Sequence, residues 1–442
     1  MHLSHRLFAQ ILLGSLLVAS CGSVKPTVTP LPVTATQAAV VAADSPLPPT
    51  AAPALPTVPS VATKAEPSAT PENTPASPHV ADEPDHSSQD QVIENMQQLT
   101  EAIEGILSQS GCPGLAVGIV KDQELVYAEG FGVVNLETGG EITPRTLFHM
   151  ASVTKPFVAT SIVQLLERKK LTLDDPIVQH LPYFKMLDRR YSMLTIRQFL
   201  THSSGMPDVD DYHWDEPEYD EGALERFVRS LTGRSLVSAP GGRFIYSNMA
   251  FEVLGDLIAK VSGESFADYV REHILLPLGM NDSSILIREV DPALLANGHV
   301  EEQDGKIRVT EHYAYNRRHG PSSCLYSNVV DMSKWAIANM NKGELEGRRI
   351  LDASSYELLW EPAVLVGARD NIPRHVGLSW FLSSYAGYQT VSHGGRDIGY
   401  WTNFVMVPDA GVAVIVLSNY FGLDSPVDQV TGLALDYALG SE

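Results

Sequence analysis

The chain has 442 residues, a formal net charge of −22 and a pI of about 5.0. That excess of acid argues against nucleic acid as a partner and against electrostatic adhesion to anionic lipid. Its 14 histidines and three cysteines show no His-Glu-x-x-His or paired-cysteine spacing, so neither a metal nor another cofactor is expected.

In chain order, Arg6 precedes an apolar stretch from Leu7 to Ala19. This is shorter than a membrane-crossing helix needs and reads as a secretion signal. Val18-Ala19-Ser20-Cys21 resembles a bacterial lipobox. Residues 1–20 are therefore expected to be a lipoprotein signal peptide, with Cys21 the lipidated first residue of the mature chain. The alternative is an ordinary signal peptide with a chance cysteine. On the lipobox reading the protein is exported and anchored to the outer face of a bacterial membrane. Residues 21–90 follow as a disordered Pro/Thr/Ala-rich stalk: from Gly22 to Asp90 there is no aromatic residue, and 14 of the chain's 29 prolines fall there. Such a segment cannot bury enough apolar surface to offset its own ordering.

Residues 91–442 hold nearly all the aromatics and are long enough for one large domain or two intimately packed ones. Val92, Met96, Leu99, Ile103 and Ile106 recur at helical spacing. Gly114 to Val120 and Leu125 to Gly130 read as a hairpin across Lys121–Glu124. The chain's sole Ser-x-x-Lys, Ser152-Val153-Thr154-Lys155, then stands where a helix through Val158, Ile162, Leu165 and Leu166 should begin. Positions three apart share a helix face, which sets the Lys155 amine beside the Ser152 hydroxyl. A serine becomes a nucleophile when a neighbour takes its proton, and a lysine can do so only if its amine is neutral near pH 7. Taken alone, the same tetrapeptide also suits a helix cap with a solvated lysine. Helical segments continue to about Leu359, including one through Leu254, Leu257, Ile258 and Val261. Trp380–Phe381, Thr390–His393, Asn403–Val407 and Val412–Leu417 read as closing strands. Periodicity thus gives an α+β chain with strands at both ends.

The context of Ser152 makes the tetrapeptide specific. Tyr246-Ser247-Asn248 follows Pro240-Gly241-Gly242, and His393-Gly394-Gly395 lies between two strand-like runs. Serine, lysine, tyrosine and a glycine-bearing strand in this order resemble the serine β-lactamase and penicillin-binding-protein superfamily. The resemblance is closest to the branch of class C β-lactamases, D-aminopeptidases and esterases. Leu200-Thr201-His202-Ser203-Ser204-Gly205, Pro277-Leu278-Gly279-Met280 and Gly411 to Asn419 look like further signatures of that branch. A second Tyr-Ser-Asn at Tyr326-Ser327-Asn328 lacks the Pro-Gly-Gly approach and is set aside. An α/β-hydrolase is excluded because the chain has no Gly-x-Ser-x-Gly elbow.

The resemblance implies a β-lactamase/transpeptidase-like fold: an antiparallel sheet built from both chain ends, flanked by helices, with a mostly helical second lobe. It also implies a hydrolase acting on a small-molecule or peptide substrate through a Ser152 acyl-enzyme. Lys155 would accept or relay the serine proton, and Tyr246 would share it and deliver it to the leaving group. Asn248 would orient the substrate amide or hold Lys155, and the backbone N–H groups of Ser152 and Arg396 would form the oxyanion hole. Gly394 and Gly395 complete the third motif, where His393 replaces the family's carboxylate-binding lysine. That loss of a fixed cation favours peptide or ester substrates over β-lactams. The acid-rich stretch Asp208–Glu221 reads as a solvated loop or, as the resemblance implies, as a segment near the site's mouth; if it overhangs the site, anionic substrates should be repelled, with relief as His393 protonates between about pH 7.5 and about pH 6. The alternative function is a non-turnover penicillin-binding or cell-wall-sensing protein of the same fold. The sequence leaves open whether Cys112 and Cys324 pair or remain buried thiols, and it gives no oligomeric state.

Overall fold

The computed structural model describes residues 86–369, 371–422 and 424–440, with side chains from residue 95 onward. The expected signal peptide, Cys21 and the stalk lie outside the described residues. Helix α1 (His86–Ser110) carries the expected stripe, with Leu99 and Ile103 buried. Strands β1 (Gly114–Lys121) and β2 (Glu124–Gly132) form the expected hairpin. Its turn residues Asp122 and Gln123 have φ of 50° and 71°, the positive values that let a two-residue turn match the twist of its strands.

Six more strands come from the C-terminal part: β3 (Val364–Arg369), β4 (Ile372–Val376), β5 (Phe381–Tyr385), β6 (Tyr388–Asp397), β7 (Tyr400–Val407) and β8 (Val412–Ser418). The eight form one sheet in the order β2-β1-β8-β7-β6-β5-β4-β3, antiparallel throughout. The two ends of the fold meet where β1 pairs β8, Leu115 opposite Ser418 and Lys121 opposite Val412. This is the architecture the sequence led us to expect.

Helices α2 (Lys155–Glu167), α3 (Asn248–Ser262) and α4 (Val329–Met340) pack on one side, and α5 (Val427–Leu439) joins α1 on the other. The central strands are therefore buried on both faces and read as continuous apolar runs. On β1, Leu115, Val117 and Ile119 meet the α1–α5 cluster, whereas Ala116 and Val120 meet the larger one. A Cβ at Gly118 would lie 3.0 Å from the Val329 Cβ, so glycine lets α4 approach β1 closely.

Sequence reading missed β3, β4 and α5. Strands β3 and β4 form the sheet's mostly exposed edge and contain Gly367 and Pro373, residues that read as loop but are tolerated at an edge. The start of the Ser152 helix also needs correction: Ala151–Thr154 is a 3₁₀ turn, and the α-helix begins at Lys155. Pro156, which lacks an N–H, fits its first turn. Cys112 and Cys324 are unpaired buried thiols. Burial pushes the Cys112 thiol up to about 11 and that of Cys324 higher still, so both are inert.

Candidate active site

The chain enters the site on Phe148–His149, which pairs with Tyr326–Ser327. Met150 N–H donates to the Leu325 carbonyl at 2.7 Å, and Ala151 then adopts φ of 47°. A left-handed conformation at a non-glycine residue costs roughly 1–2 kcal/mol and persists only where the surroundings enforce it. Here Thr154 Oγ1 donates to the Ala151 carbonyl at 2.7 Å and accepts from Leu325 N–H at 3.1 Å. The turn leaves Ser152 partly exposed while Val153, Thr154 and Lys155 are buried.

Lys155 Nζ lies 2.9 Å from Ser152 Oγ, 2.6 Å from Asn248 Oδ1 and 2.9 Å from the Ser322 carbonyl oxygen. The aromatic rings of Tyr246 and Phe251 close the remaining sides, centred 5.0 Å and 5.5 Å away. Burial lowers the amine to about 7, against the opposing pull of Glu252, Asp208 and Asp397. Two of its three neighbours are carbonyl oxygens, which only accept. A neutral amine that donates to both has its lone pair left for the Ser152 hydroxyl.

Tyr246 hydroxyl lies 2.7 Å from Ser152 Oγ as donor. Burial pushes its phenol above the ordinary value despite the Ser152 hydrogen bond, so it stays protonated. The Leu-Thr-His segment holds this tyrosine. The His202 ring stacks on it at 4.2 Å, its carbonyl accepts from Ile245 N–H at 2.7 Å, and its Nδ1 accepts from Ser247 N–H at 3.1 Å. Ser247 caps α3, so the motif's tyrosine stands just before the helix and Asn248 begins it. Asp208 accepts from Asn248 N–H at 2.8 Å and from its Nδ2 at 3.0 Å and 3.2 Å. That fixes the amide so that Oδ1 faces Lys155. Tyr326, in contrast, is wholly buried and donates to the Ala314 carbonyl at 3.1 Å.

The third motif runs along β6. A Cβ on Gly395 would lie 2.3 Å from the Met150 carbonyl oxygen and 2.5 Å from Thr402 Oγ1. Only glycine lets this strand sit against the Ser152 turn. Gly394 and Gly395 line the same cleft as Ser152, Tyr246 and Asn248, as does Arg396, whose guanidinium lies 3.5 Å over the Trp401 ring and 3.7 Å from Asp428. His393 also lines it, but its imidazole is buried, with Nδ1 2.7 Å from the Gly394 carbonyl, and burial with the nearby Lys155 lowers it to about 3. It therefore stays neutral across the window from pH 7.5 to 6 in which protonation was expected.

The expected negative field at the mouth is also corrected. No residue of Asp208–Glu221 lines the cleft. Much of that acid is paired with arginine: Asp210 with Arg234, Glu218 with Arg226 and Arg318, Asp220 with Arg226, and Glu221 with Arg317. Asp208 is spent on Asn248, and Trp214 Nε1 donates to Asp397 at 3.2 Å. The cleft itself carries Arg374 and Arg369, delivered by the edge strands that sequence reading missed. Arg374 lies 3.9 Å over the Phe381 ring. Sequence reading also missed Glu252 and Ser322; the available signal was that Glu252 stands four residues after Asn248, on the same helix face. Among the described residues no group of three His, Cys, Asp or Glu side chains could hold a metal ion.

Residues 90–439 match the beta-lactamase family. Protein flp of Staphylococcus aureus (strain MW2) is 26% identical over 327 residues, 74% of this chain and 63% of that protein. The unguisins hydrolase ungD' of Aspergillus campestris (strain IBT 28561) is 25% identical over 333 residues, 73% of this chain and 61% of its own. The chain thus spans less than two thirds of the length of these relatives. Among solved structures, the octameric penicillin-binding protein homologue from Pyrococcus abyssi superposes with a TM-score of 0.68 at 28% identity, covering 78% of this chain and 77% of that one. EstCE1, a hydrolase with promiscuous acyltransferase activity, gives 0.66 at 20% identity over 80% of this chain and 100% of its own, a likeness of fold. The matched span contains the sheet, the strained serine turn and the buried lysine alike, and the chain belongs to the beta-lactamase family, within the β-lactamase/transpeptidase-like superfamily.

Proposed function

We propose that the protein is a serine hydrolase that cleaves an ester or amide through an acyl-enzyme on Ser152. The observation that carries this reading is the pair of contacts on Ser152 Oγ, Lys155 at 2.9 Å and Tyr246 at 2.7 Å, with the lysine held near 7 by burial. As Ser152 Oγ bonds to the substrate carbonyl carbon, its proton passes to the lone pair of Lys155. The carbonyl oxygen gains the negative charge and takes hydrogen bonds from the backbone N–H groups of Ser152 and Arg396, donors worth about 3–4 kcal/mol each in such sites. Tyr246, still protonated, serves as the acid: it gives its proton to the leaving group, and its phenolate takes a proton from the attacking water in the second step while Lys155 returns its own to Ser152 Oγ. Water then releases the acyl group by the reverse sequence.

Ser152→Ala should abolish covalent labelling by a fluorophosphonate while the thermal transition stays in place; undiminished labelling at another serine would overturn the assignment. A panel of nitrocefin, p-nitrophenyl esters and D-aminoacyl anilides separates the substrate classes. A second reading, a protein that is acylated and then stalls, draws support from the penicillin-binding homologue among its neighbours. A stable adduct without turnover would select it. We further propose attachment to the outer face of a bacterial membrane through lipid on Cys21, with residues 21–90 as tether. Cys21→Ala should release the protein from the membrane fraction, and retention after a high-salt wash would refute the anchor.

A further inference from the structure

Joined to Lys155 through Ser322 lies a buried polar group that the proposed chemistry does not use. Glu252 is wholly buried on α3, as are His319 and Ser322. Ser322 Oγ donates to Glu252 Oε1 at 2.6 Å, and His319 Nδ1 lies 3.0 Å from the same oxygen. Tyr212, Trp214 and Phe227 wall in the His319 ring, edge-on, at 4.9, 5.9 and 5.1 Å. Glu252 Oε2 and His319 Nε2 have no hydrogen-bond partner among the described residues. A carboxylate in such a place is costly, and packing alone would be served better by an apolar side chain of the same size.

Two links join this group to the amine. Ser322 touches both, its hydroxyl on Glu252 and its carbonyl 2.9 Å from Lys155 Nζ. Asn248, one helical turn before Glu252 on α3, holds the amine at 2.6 Å. We propose that Glu252 is a positioning residue for Lys155: through Ser322 it pins the Gly320–Ser323 turn beneath the amine, and its negative charge governs how firmly the amine keeps its proton.

The other groups facing Lys155 constrain this. Asp208 reaches it from the loop that follows the Leu200–Gly205 segment and Asp397 from β6, and both favour the protonated amine as Glu252 does, Glu252 being the strongest of the three. His202 and His393, from the Leu-Thr-His segment and β6, are held neutral. The Tyr246 phenol is protonated. Asp208 is committed to Asn248 and Asp397 to Trp214, whereas Glu252 is bound to Ser322, the residue whose carbonyl accepts from the amine. Without it, burial would leave the amine neutral over more of the range near pH 7. A base that keeps its proton less firmly accepts the Ser152 proton less readily.

The inference rests on the hydrolase reading for its catalytic meaning, and the test separates the two. The titration of Lys155 is followed by NMR of its ¹³Cε in the full-length protein, alongside the pH profile of fluorophosphonate labelling at Ser152. Glu252→Gln keeps the shape and the Ser322 bond but removes the charge. Its Lys155 midpoint should fall by about one pH unit, and the acid limb of labelling should move down by the same amount. Glu252→Asp, which keeps the charge, should titrate close to wild type. If Glu252→Gln does not fold, Ser322→Ala decides: with the donor that supports the charged carboxylate and links it to the turn gone, the Lys155 midpoint should fall in the same direction. An unmoved midpoint in the folded variant, or labelling that drops equally at all pH values, would overturn the inference. A shifted Lys155 midpoint with no labelling of Ser152 in wild type would overturn the hydrolase reading and leave this one standing.

Discussion

Lys155 and Tyr246 touch the same serine oxygen, yet burial acts on them in opposite chemical senses. It takes the proton off a lysine and keeps it on a phenol. The protein therefore holds one base and one acid beside Ser152, and on the proposed mechanism the acid limb of kcat/KM belongs to the amine. Because the amine must be neutral to accept a proton, activity should fall as pH drops through about 7. Tyr246→Phe should lower kcat by roughly 10²–10⁴-fold while the limb near 7 persists, since Lys155 is untouched. Tyr326→Phe should leave kcat within a few-fold of wild type and cost about 1–2 kcal/mol of stability for its buried bond to Ala314. Equal kinetic losses in the two variants would show that the tyrosines had been wrongly distinguished.

Among the elements, the junction of β6 with the Ala151–Thr154 turn governs the site. The helix supplies Lys155, but the strand sets how near the third motif comes to Ser152. Gly395→Ala would drive a methyl into the Met150 carbonyl, 2.3 Å away, and the strand or the turn must yield. The expected result is a loss of about 1–3 kcal/mol in stability and a disproportionate fall in kcat, measured by thermal melts and single-turnover acylation. A variant with normal kinetics would show that the close approach is only a packing detail. Serine, lysine and the tyrosine motif were legible in the sequence because each lies within a few residues of a helix start. The edge strands β3 and β4 were not: half-exposed strands with glycine and proline carry no alternating signal.

For the whole molecule, net charge misleads about the site. At −22 the protein is strongly acidic, yet its cleft is lined by Arg369, Arg374 and Arg396, with Asp428 the facing acid. Charge at the mouth is thus decoupled from charge overall, and on the proposed hydrolase reading Arg374 offers an anionic substrate the cation that His393 does not provide. Arg374→Gln should lower the ratio of kcat/KM for matched anionic and neutral esters by about 5–10-fold, with a smaller ratio at high salt in wild type. Between pH 7.5 and 6 that ratio should stay flat, because His393 remains neutral until about 3. A ratio that climbs steeply over that window, unchanged in Arg374→Gln, would return the role to histidine.

What the amino-acid sequence determined by itself is what short-range pattern can encode: the α1 stripe, the β1–β2 hairpin, the serine and lysine one helical turn apart, and the tyrosine and asparagine at the start of α3. These follow from periodicity and from which residues stand three or four apart. Whether Lys155 is neutral, whether His393 can titrate and whether the Asp208–Glu221 acids face the substrate depended on segments far apart in the chain. Ser322 and Glu252 close the chamber behind the amine, β6 buries the histidine, and arginines at 226, 234, 317 and 318 take up the acid. Proton affinity and field are properties of enclosure, and enclosure exists only once the sheet has brought the two ends of the described fold together.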